Sequence, residues 1–368
     1  MPRAAVLVKH NQPLEILDLD LQEPRAREVR VRMAAAGVCH SDLHVITGDR
    51  PRPVPMVLGH EGAGVVEAVG EGVTRVSVGD HVVLSWKPAC ERCHYCLRGR
   101  PDMCLGTADL LEQGVLFDGT PRFRRGQEPI RQMLMVGCFA ESTVVPETGA
   151  IPVPKEIPLD LASLVGCAVT TGVGAVTKTA KVPAGASVAV IGCGGMGLNL
   201  LQGARLVGAN PIIAIDVLPH KLEDARLFGA THTLNAREQD PIQAVRDLTD
   251  GLGVEYAFEA IGSAAAIEQA FAMIRRAGTA VVVGSAPRTA EVHLSALDIP
   301  TYTKTLTGSL FGEANPPVDL PAMLELYRAG RLQLDELITR RYRLEEVNEA
   351  YQDLLDGKLR RGIITFGP

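Results

Sequence analysis

Over its first 168 residues the chain carries short apolar runs, at 4–9, 28–34, 62–68 and 80–85, separated by glycines and prolines. Runs of this length between turn formers predict strands, so the stretch is expected to be a β-rich, irregular domain. From about 169 to 310 the texture changes. Strand-like runs at 187–191, 212–216, 256–259 and 279–283 alternate with helical stretches at 195–207, 221–228 and 264–276. This alternation predicts βαβ units, hence a doubly wound parallel sheet with helices on both faces. Residues 311–368 return to mixed texture, with amphipathic helices near 320–328 and 344–356 and a terminal strand at 362–366. The expected fold is α/β, a parallel-sheet domain of 169–310 inserted into a β-rich domain made of 1–168 and 311–368.

Length and charge narrow the partners. The chain has 368 residues, enough for two domains with substantial cores. Lys plus Arg is 37 against 43 for Asp plus Glu, a net charge of −6. Without a concentrated positive field, nucleic acid is not expected as the main partner. No apolar run approaches the roughly 18–20 residues of a membrane span, and the five apolar residues after Arg3 fall short of a signal-peptide core. A cytoplasmic protein without a membrane partner is expected. Arg122, Arg124, Arg125 and Arg131 read as a solvated loop surface, with a subunit contact as the alternative.

Eight cysteines in a reducing compartment point to metal or catalysis before disulfides. Cys90, Cys93, Cys96 and Cys104 are spaced C-x2-C-x2-C-x7-C. Four thiolates so close in sequence can wrap one zinc tetrahedrally and leave no open position, which makes a structural site. Two local disulfides, a redox dithiol pair or a zinc-ribbon DNA reader are the competing readings. Cys39, His60 and Cys167 are dispersed, and singly each reads as a buried thiol or a hydrogen-bonded imidazole. Together they form a Cys₂His set that leaves zinc's fourth position for water or substrate, the arrangement of a catalytic site.

Gly192-Cys193-Gly194-Gly195-Met196-Gly197 follows one strand-like run and opens a helical one, the context a dinucleotide fingerprint requires. Gly192 permits the tight turn, Gly194 lets backbone approach a pyrophosphate, and Gly197 allows close helix–strand packing. Asp216 ends the next strand-like run, where a carboxylate accepts from a ribose and repels a 2′-phosphate, so NAD is favoured over NADP.

These residues resemble the zinc-dependent medium-chain alcohol dehydrogenases along essentially the whole chain. The match is carried by Gly59-His60-Glu61-Gly62-Ala63-Gly64, the four-cysteine lobe, the glycine fingerprint and Gly357-Lys358-Leu359-Arg360-Arg361-Gly362. The resemblance implies a GroES-like catalytic domain with a Rossmann insert, and two zinc ions per chain. The catalytic ion would sit on Cys39, His60 and Cys167, with Glu61 behind it as an occasional ligand and Asp42 orienting His60. Ser41 would take the substrate's hydroxyl proton and pass it through the cofactor ribose to His44. NAD would be held by His40, Thr171, Gly192, Gly194, Gly195, Gly197, Asp216, Lys221 and Arg361. Trp86, Met133, Leu134 and Leu310 would line a largely apolar substrate pocket. Cys138 and Cys193 remain as buried structural thiols.

The stretch between Cys104 and Cys167, with Ser309-Leu310-Phe311-Gly312 and Leu326-Tyr327-Arg328-Ala329-Gly330, is similar to a long-looped bacterial branch that includes nitrosodimethylaniline-dependent enzymes. The resemblance implies oxidation of primary or aryl alcohols to aldehydes, reversibly, by hydride transfer to NAD, in a homodimer or homotetramer. Two enzymatic alternatives follow: a nicotinoprotein that keeps NAD(H) bound, and a glutathione-type formaldehyde dehydrogenase. Ala108 and Arg50 stand where the glutathione-dependent relatives carry Arg and an acid, which weighs against the latter. A cofactor-binding structural or sensory protein is the reading outside enzymes.

Overall fold

A computed structural model describes residues 1–367 and divides the chain into two compact units. The first comprises Met1–Cys167, Ala314–Ala329 and the chain from Leu334 onward; the second comprises Ala168–Glu313 and Gly330–Gln333. The brief return of Gly330–Gln333 to the second unit has no counterpart in the hydrophobic pattern.

In the first unit, the strand Glu28–Val38 is the spine of a seven-stranded sheet. Val29, Val31 and Met33 point inward while Arg30 and Arg32 alternate outward, the two-residue period of a half-buried strand. The strand runs past the expected 34, because Ala35–Val38 pair with Arg361–Thr365 and Ala35 and Ala36 also with Gly62–Val69. Its core includes Leu58, Val66, Leu84, Phe139, Tyr342 and Ile364, and each large apolar side chain fully removed from water contributes about 1.5–3 kcal/mol. A smaller sheet joins Arg3–Leu7 to Glu15–Asp18 and Met56–Val57, and continues through Glu128–Gln132 and Phe123–Arg125 to Asp20–Leu21.

The expected solvated loop around Arg122–Arg131 is instead an antiparallel hairpin, with Phe123 opposite Ile130 and both buried. Arg122 itself is fully buried. Its Nε donates to Glu28 Oε2 at 2.8 Å and its Nη2 to Asp118 Oδ2 at 2.7 Å, while Nη1 donates to Thr120 Oγ1 at 2.6 Å. A guanidinium tolerates such burial when its donors meet carboxylate and hydroxyl oxygens. Arg125 alone of the four is exposed as expected, Arg124 and Arg131 being half-buried.

The second unit is a six-stranded, wholly parallel sheet in the order His232–Asn235, Ile212–Asp216, Val188–Ile191, Val254–Glu259, Ile274–Val282, Thr305–Gly308. Helices Gly195–Leu206, Pro219–Leu227, Pro241–Asp247 and Ala264–Met273 occur between strands. Val188–Ile191 has neighbours reached in opposite directions, so the strand order reverses beside its carboxyl end, where open α/β sheets bind ligands. The helix expected to reach 276 stops at Met273, because Ile274 already pairs with Val254. No single helix among the described residues is long and apolar enough to cross a membrane.

Candidate active site and metal centres

Three segments of the first unit converge on one point. Cys39 follows the long strand and occupies the N-cap of helix His40–Ile46, His60 precedes Gly62–Val69, and Cys167 follows the turn Leu164–Gly166. All three are buried, and their ligand atoms lie within 4.8 Å of one another. Sequence spacing did not dictate this meeting; pairing of the strand that ends before Cys39 with the strand that begins after His60 brings those two together.

His60 Nδ1 lies 3.1 Å from Asp42 Oδ2, and Asp42 Oδ1 accepts the Gly59 N–H at 2.8 Å. Neither His60 ring nitrogen makes a hydrogen bond; Nδ1 has the Asp42 carboxylate as its ion-pair neighbour, and Nε2 is buried without a hydrogen-bond partner. A second nitrogen so orphaned beside two thiols fits a Cys₂His zinc site, since a bound cation supplies the missing partner. Burial pushes the His60 pKa down, but Asp42 and Cys39 outweigh it and hold it well above the ordinary imidazole range. The Cys39 thiol is drawn well below its usual range by the Cys167 side chain, against burial, with Arg361 and His60 adding to the effect.

Glu61 is fully buried and ion-paired with Arg361, which also donates to Val38 O at 3.3 Å. Burial pushes the Glu61 carboxyl up to about 7, although Arg361 draws it back. The resemblance gives Arg361 a pyrophosphate contact. In this structure its guanidinium is 6% exposed and its charge is engaged by Glu61.

His40, Ser41 and His44 share the short helix that begins after Cys39. Ser41 Oγ is 3.7 Å from Cys39 Sγ, and His44 Nδ1 is 3.5 Å from Asp49 Oδ2. The His40 and His44 rings are 6.1 Å apart. Sequence reasoning missed His10, whose Nδ1 and Nε2 lie 2.8 Å from Val45 O and 3.0 Å from Arg52 O. Both neighbours are acceptors, so the ring makes both bonds only when both nitrogens carry hydrogen. It ties the end of the Ser41–His44 helix to the following loop.

Trp86 stands edge-on to His60, ring centroids 6.4 Å apart, and packs on the core that holds Met133 and Leu134. Leu134 and Met135 take left-handed backbone conformations, φ 53° and 62°, a strain that tends to mark functional sites. Leu310 belongs to the second unit and is 44% exposed.

Cys90, Cys93, Cys96 and Cys104 form a second group of donors within 4.8 Å of one another. Cys93 and Cys96 sulfurs are 3.5 Å apart, and the Cys90 N–H donates to Cys104 Sγ at 3.3 Å. Backbone N–H groups, that of Cys96 foremost, hold the Cys93 thiol down at about 5, which suits a thiolate ligand. All eight cysteines are free thiols, Cys138 and Cys193 among them buried.

In the second unit the fingerprint turn shows why glycine is needed. Gly192 has φ +92°, and a Cβ on Gly197 would stand 1.8 Å from Gly192 O. A Cβ on Gly194 would meet nothing within 4 Å, leaving open space at the N-cap of helix Gly195–Leu206. Backbone N–H groups and open space at a helix N-terminus fit a pyrophosphate. Asp216 Oδ2 accepts the Cys193 N–H at 2.8 Å, and its Oδ1 accepts from Val217 and Leu218 at 2.7 and 3.0 Å. Lys221 lies on the following helix, and Thr171 is buried in helix Ala168–Gly174.

Glu259 is a further residue the sequence reading passed over. It stands opposite Ile191 in the sheet, fully buried, and its Oε1 accepts the Ile261 and Gly262 N–H groups at 2.7 and 2.6 Å. That holds Ile261 against the fingerprint, for a Cβ on Gly192 would come within 2.6 Å of Ile261 Cγ1. A lone acid closing an apolar run before Gly262 was the available signal.

Comparison with known proteins gives two family matches: the alcohol dehydrogenase GroES-like domain over residues 25–155 and the zinc-binding dehydrogenase over 195–329. The chain is 44% identical over 365 residues to an NDMA-dependent alcohol dehydrogenase of Amycolatopsis methanolica, covering 98% of both chains. It is 39% identical over 367 residues to an S-(hydroxymethyl)glutathione dehydrogenase of Synechocystis, covering 99% of both. Among solved structures, the benzyl alcohol dehydrogenase of Acinetobacter calcoaceticus superposes with a TM-score of 0.95 at 33% identity, covering 100% of this chain and 99% of that one.

Proposed function

The chain belongs to the zinc-dependent alcohol dehydrogenase family, and on that premise we propose that it oxidises primary or aryl alcohols to aldehydes, reversibly, with NAD as the hydride acceptor. The observation that carries this reading is the buried convergence of Cys39, His60 and Cys167. Held there, zinc supplies Lewis-acid polarisation of an alcohol oxygen. The nicotinamide supplies the acceptor for the hydride.

The protein's own groups do the rest. Asp42 fixes the His60 ring through Nδ1, which leaves Nε2 for the metal. The Cys39 and Cys167 thiolates would offset the charge of a bound zinc, leaving the centre suited to a neutral alcohol. Ser41 takes the alcohol's hydroxyl proton, and His44, one turn along the helix, is the group that passes it on to solvent. Glu61, neutralised by Arg361, places an acidic group behind the ligands without adding a free charge. Trp86 and the core around Met133 and Leu134 offer apolar surface to the carbon skeleton. The benzyl alcohol specificity named for the solved relative supports aryl alcohols among the substrates.

In the second unit, the fingerprint and Asp216 hold NAD, and the Asp216 carboxylate disfavours a 2′-phosphate. Thr171 and Lys221, of the same unit, are the further contacts there. The protein is proposed to be a cytoplasmic homo-oligomer, dimer or tetramer, and its free thiols suit a reducing compartment.

The NDMA-dependent relative favours one second reading, a nicotinoprotein that recycles bound NAD(H) with another substrate. Assay of the purified protein on an alcohol panel that includes benzyl alcohol separates the two. Turnover that requires added NAD supports the dehydrogenase. Turnover only with an external acceptor supports the nicotinoprotein, and no alcohol turnover under either condition overturns both.

A further inference from the structure

The arginines of the 122–131 stretch take no part in the chemistry above, yet two of them shape a cavity of their own. Arg25, Arg124 and Arg131, with Gln22 and Thr120, line a pocket of about 340 Å³ in the first unit, and no carboxylate lines it. Arg124 Nη2 donates to Gln127 O at 2.7 Å and Arg131 Nη1 to Gln113 O at 2.6 Å. Neutral carbonyls position these side chains without cancelling their charge, and among the described residues neither guanidinium has a carboxylate within 4 Å. Asp20 stands opposite Arg124 in the strand ladder but makes no ion pair with it.

The floor beneath is rigid. Buried Arg122 grips Asp118 at 2.7 Å and Thr120 at 2.6 Å, and Arg25 reaches the same Asp118 oxygen at 2.6 Å and Thr120 Oγ1 at 3.3 Å. Asp118 is thus shared by two arginines and Glu28 is held by Arg122, while Arg124 and Arg131 at the rim keep their charges free of an ion pair. Guanidinium forks, a hydroxyl and an amide around a pocket of this volume match a phosphate group carried by a small molecule. We propose that the Arg25, Arg124 and Arg131 pocket is a binding site for a phosphate-bearing small molecule, separate from the metal centres and the glycine fingerprint.

The test is isothermal titration of inorganic phosphate into the zinc-loaded full chain saturated with NAD, which fills the other phosphate-binding turn. Ionic strength is held constant with chloride. The proposal expects saturable binding that weakens at least tenfold in R124Q/R131Q. The same weakening in direction is expected in R131Q alone, which keeps a second, gentler variant in hand. R125Q, exposed and outside the pocket, should bind as the unmodified protein does. Absence of saturable binding, full binding by R124Q/R131Q, or an equal loss in R125Q would overturn the proposal.

Discussion

Asp42 bridges two segments: one oxygen lies 3.1 Å from His60 Nδ1 and the other accepts the Gly59 N–H at 2.8 Å. The helix that begins after Cys39 therefore fixes the ring orientation of a second ligand. Asp42→Asn keeps the shape but loses the charge that favours the Nδ1–H tautomer. Zinc affinity at this centre should fall about 10–100-fold, the usual cost of an outer-shell change, as read by competition with a chelator.

Arg122 and Glu28 make the most deeply buried ion pair of the hairpin. Arg122→Leu should destabilise the protein by about 3–5 kcal/mol, because Glu28 and Asp118 lose the cation that compensates them. Denaturant unfolding followed by circular dichroism measures this, and a variant as stable as the parent would show that the pair is dispensable.

Asp118 gives a pH dependence. Partial burial would raise its carboxyl, but hydrogen bonds from Arg122 and Thr120 prevail and hold it at about 2. A pKa depressed below the unfolded value of about 3.9 contributes stability that is present above that value and lost as pH falls through the folded one. Thermal stability should therefore decline between about pH 4 and pH 2 more steeply in the parent than in Asp118→Asn, with the exposure of the side chain keeping the difference modest.

Glu259 acts on the fingerprint through the loop it holds. Glu259→Ala removes the acceptor for the Ile261 and Gly262 N–H groups, so the NAD dissociation constant should rise about tenfold, the loss of charged hydrogen bonds worth about 1.5–3 kcal/mol being shared with the fold. Glu259→Gln keeps an acceptor oxygen and should restore most of the affinity. Fluorescence titration with NADH reads both.

What the sequence made legible follows from range. The cysteine lobe could be read directly, since all its donors lie between Cys90 and Cys104 and their spacing alone defines a tetrahedral wrap. The glycine fingerprint was equally local. Cys39, His60 and Cys167 could be grouped by donor type, but nothing in their spacing brings them together, since the chain's long-range folding does that. Arg122 was misread as solvated because Glu28, its partner, lies 94 residues upstream. Strands His232–Asn235 and Thr305–Gly308 escaped notice because they are short edge strands with few apolar positions. His10 and Glu259 work through backbone groups, which leave no side-chain pattern to recognise.

An open metal centre distinct from a closed one is what makes this chain an enzyme rather than a folded zinc protein. Metal analysis and alcohol turnover of the Cys39→Ser variant test it together. The prediction is a fall from about two zinc ions per chain to about one, with turnover abolished and the lobe's metal retained. Unchanged turnover, or unchanged zinc content, would contradict it.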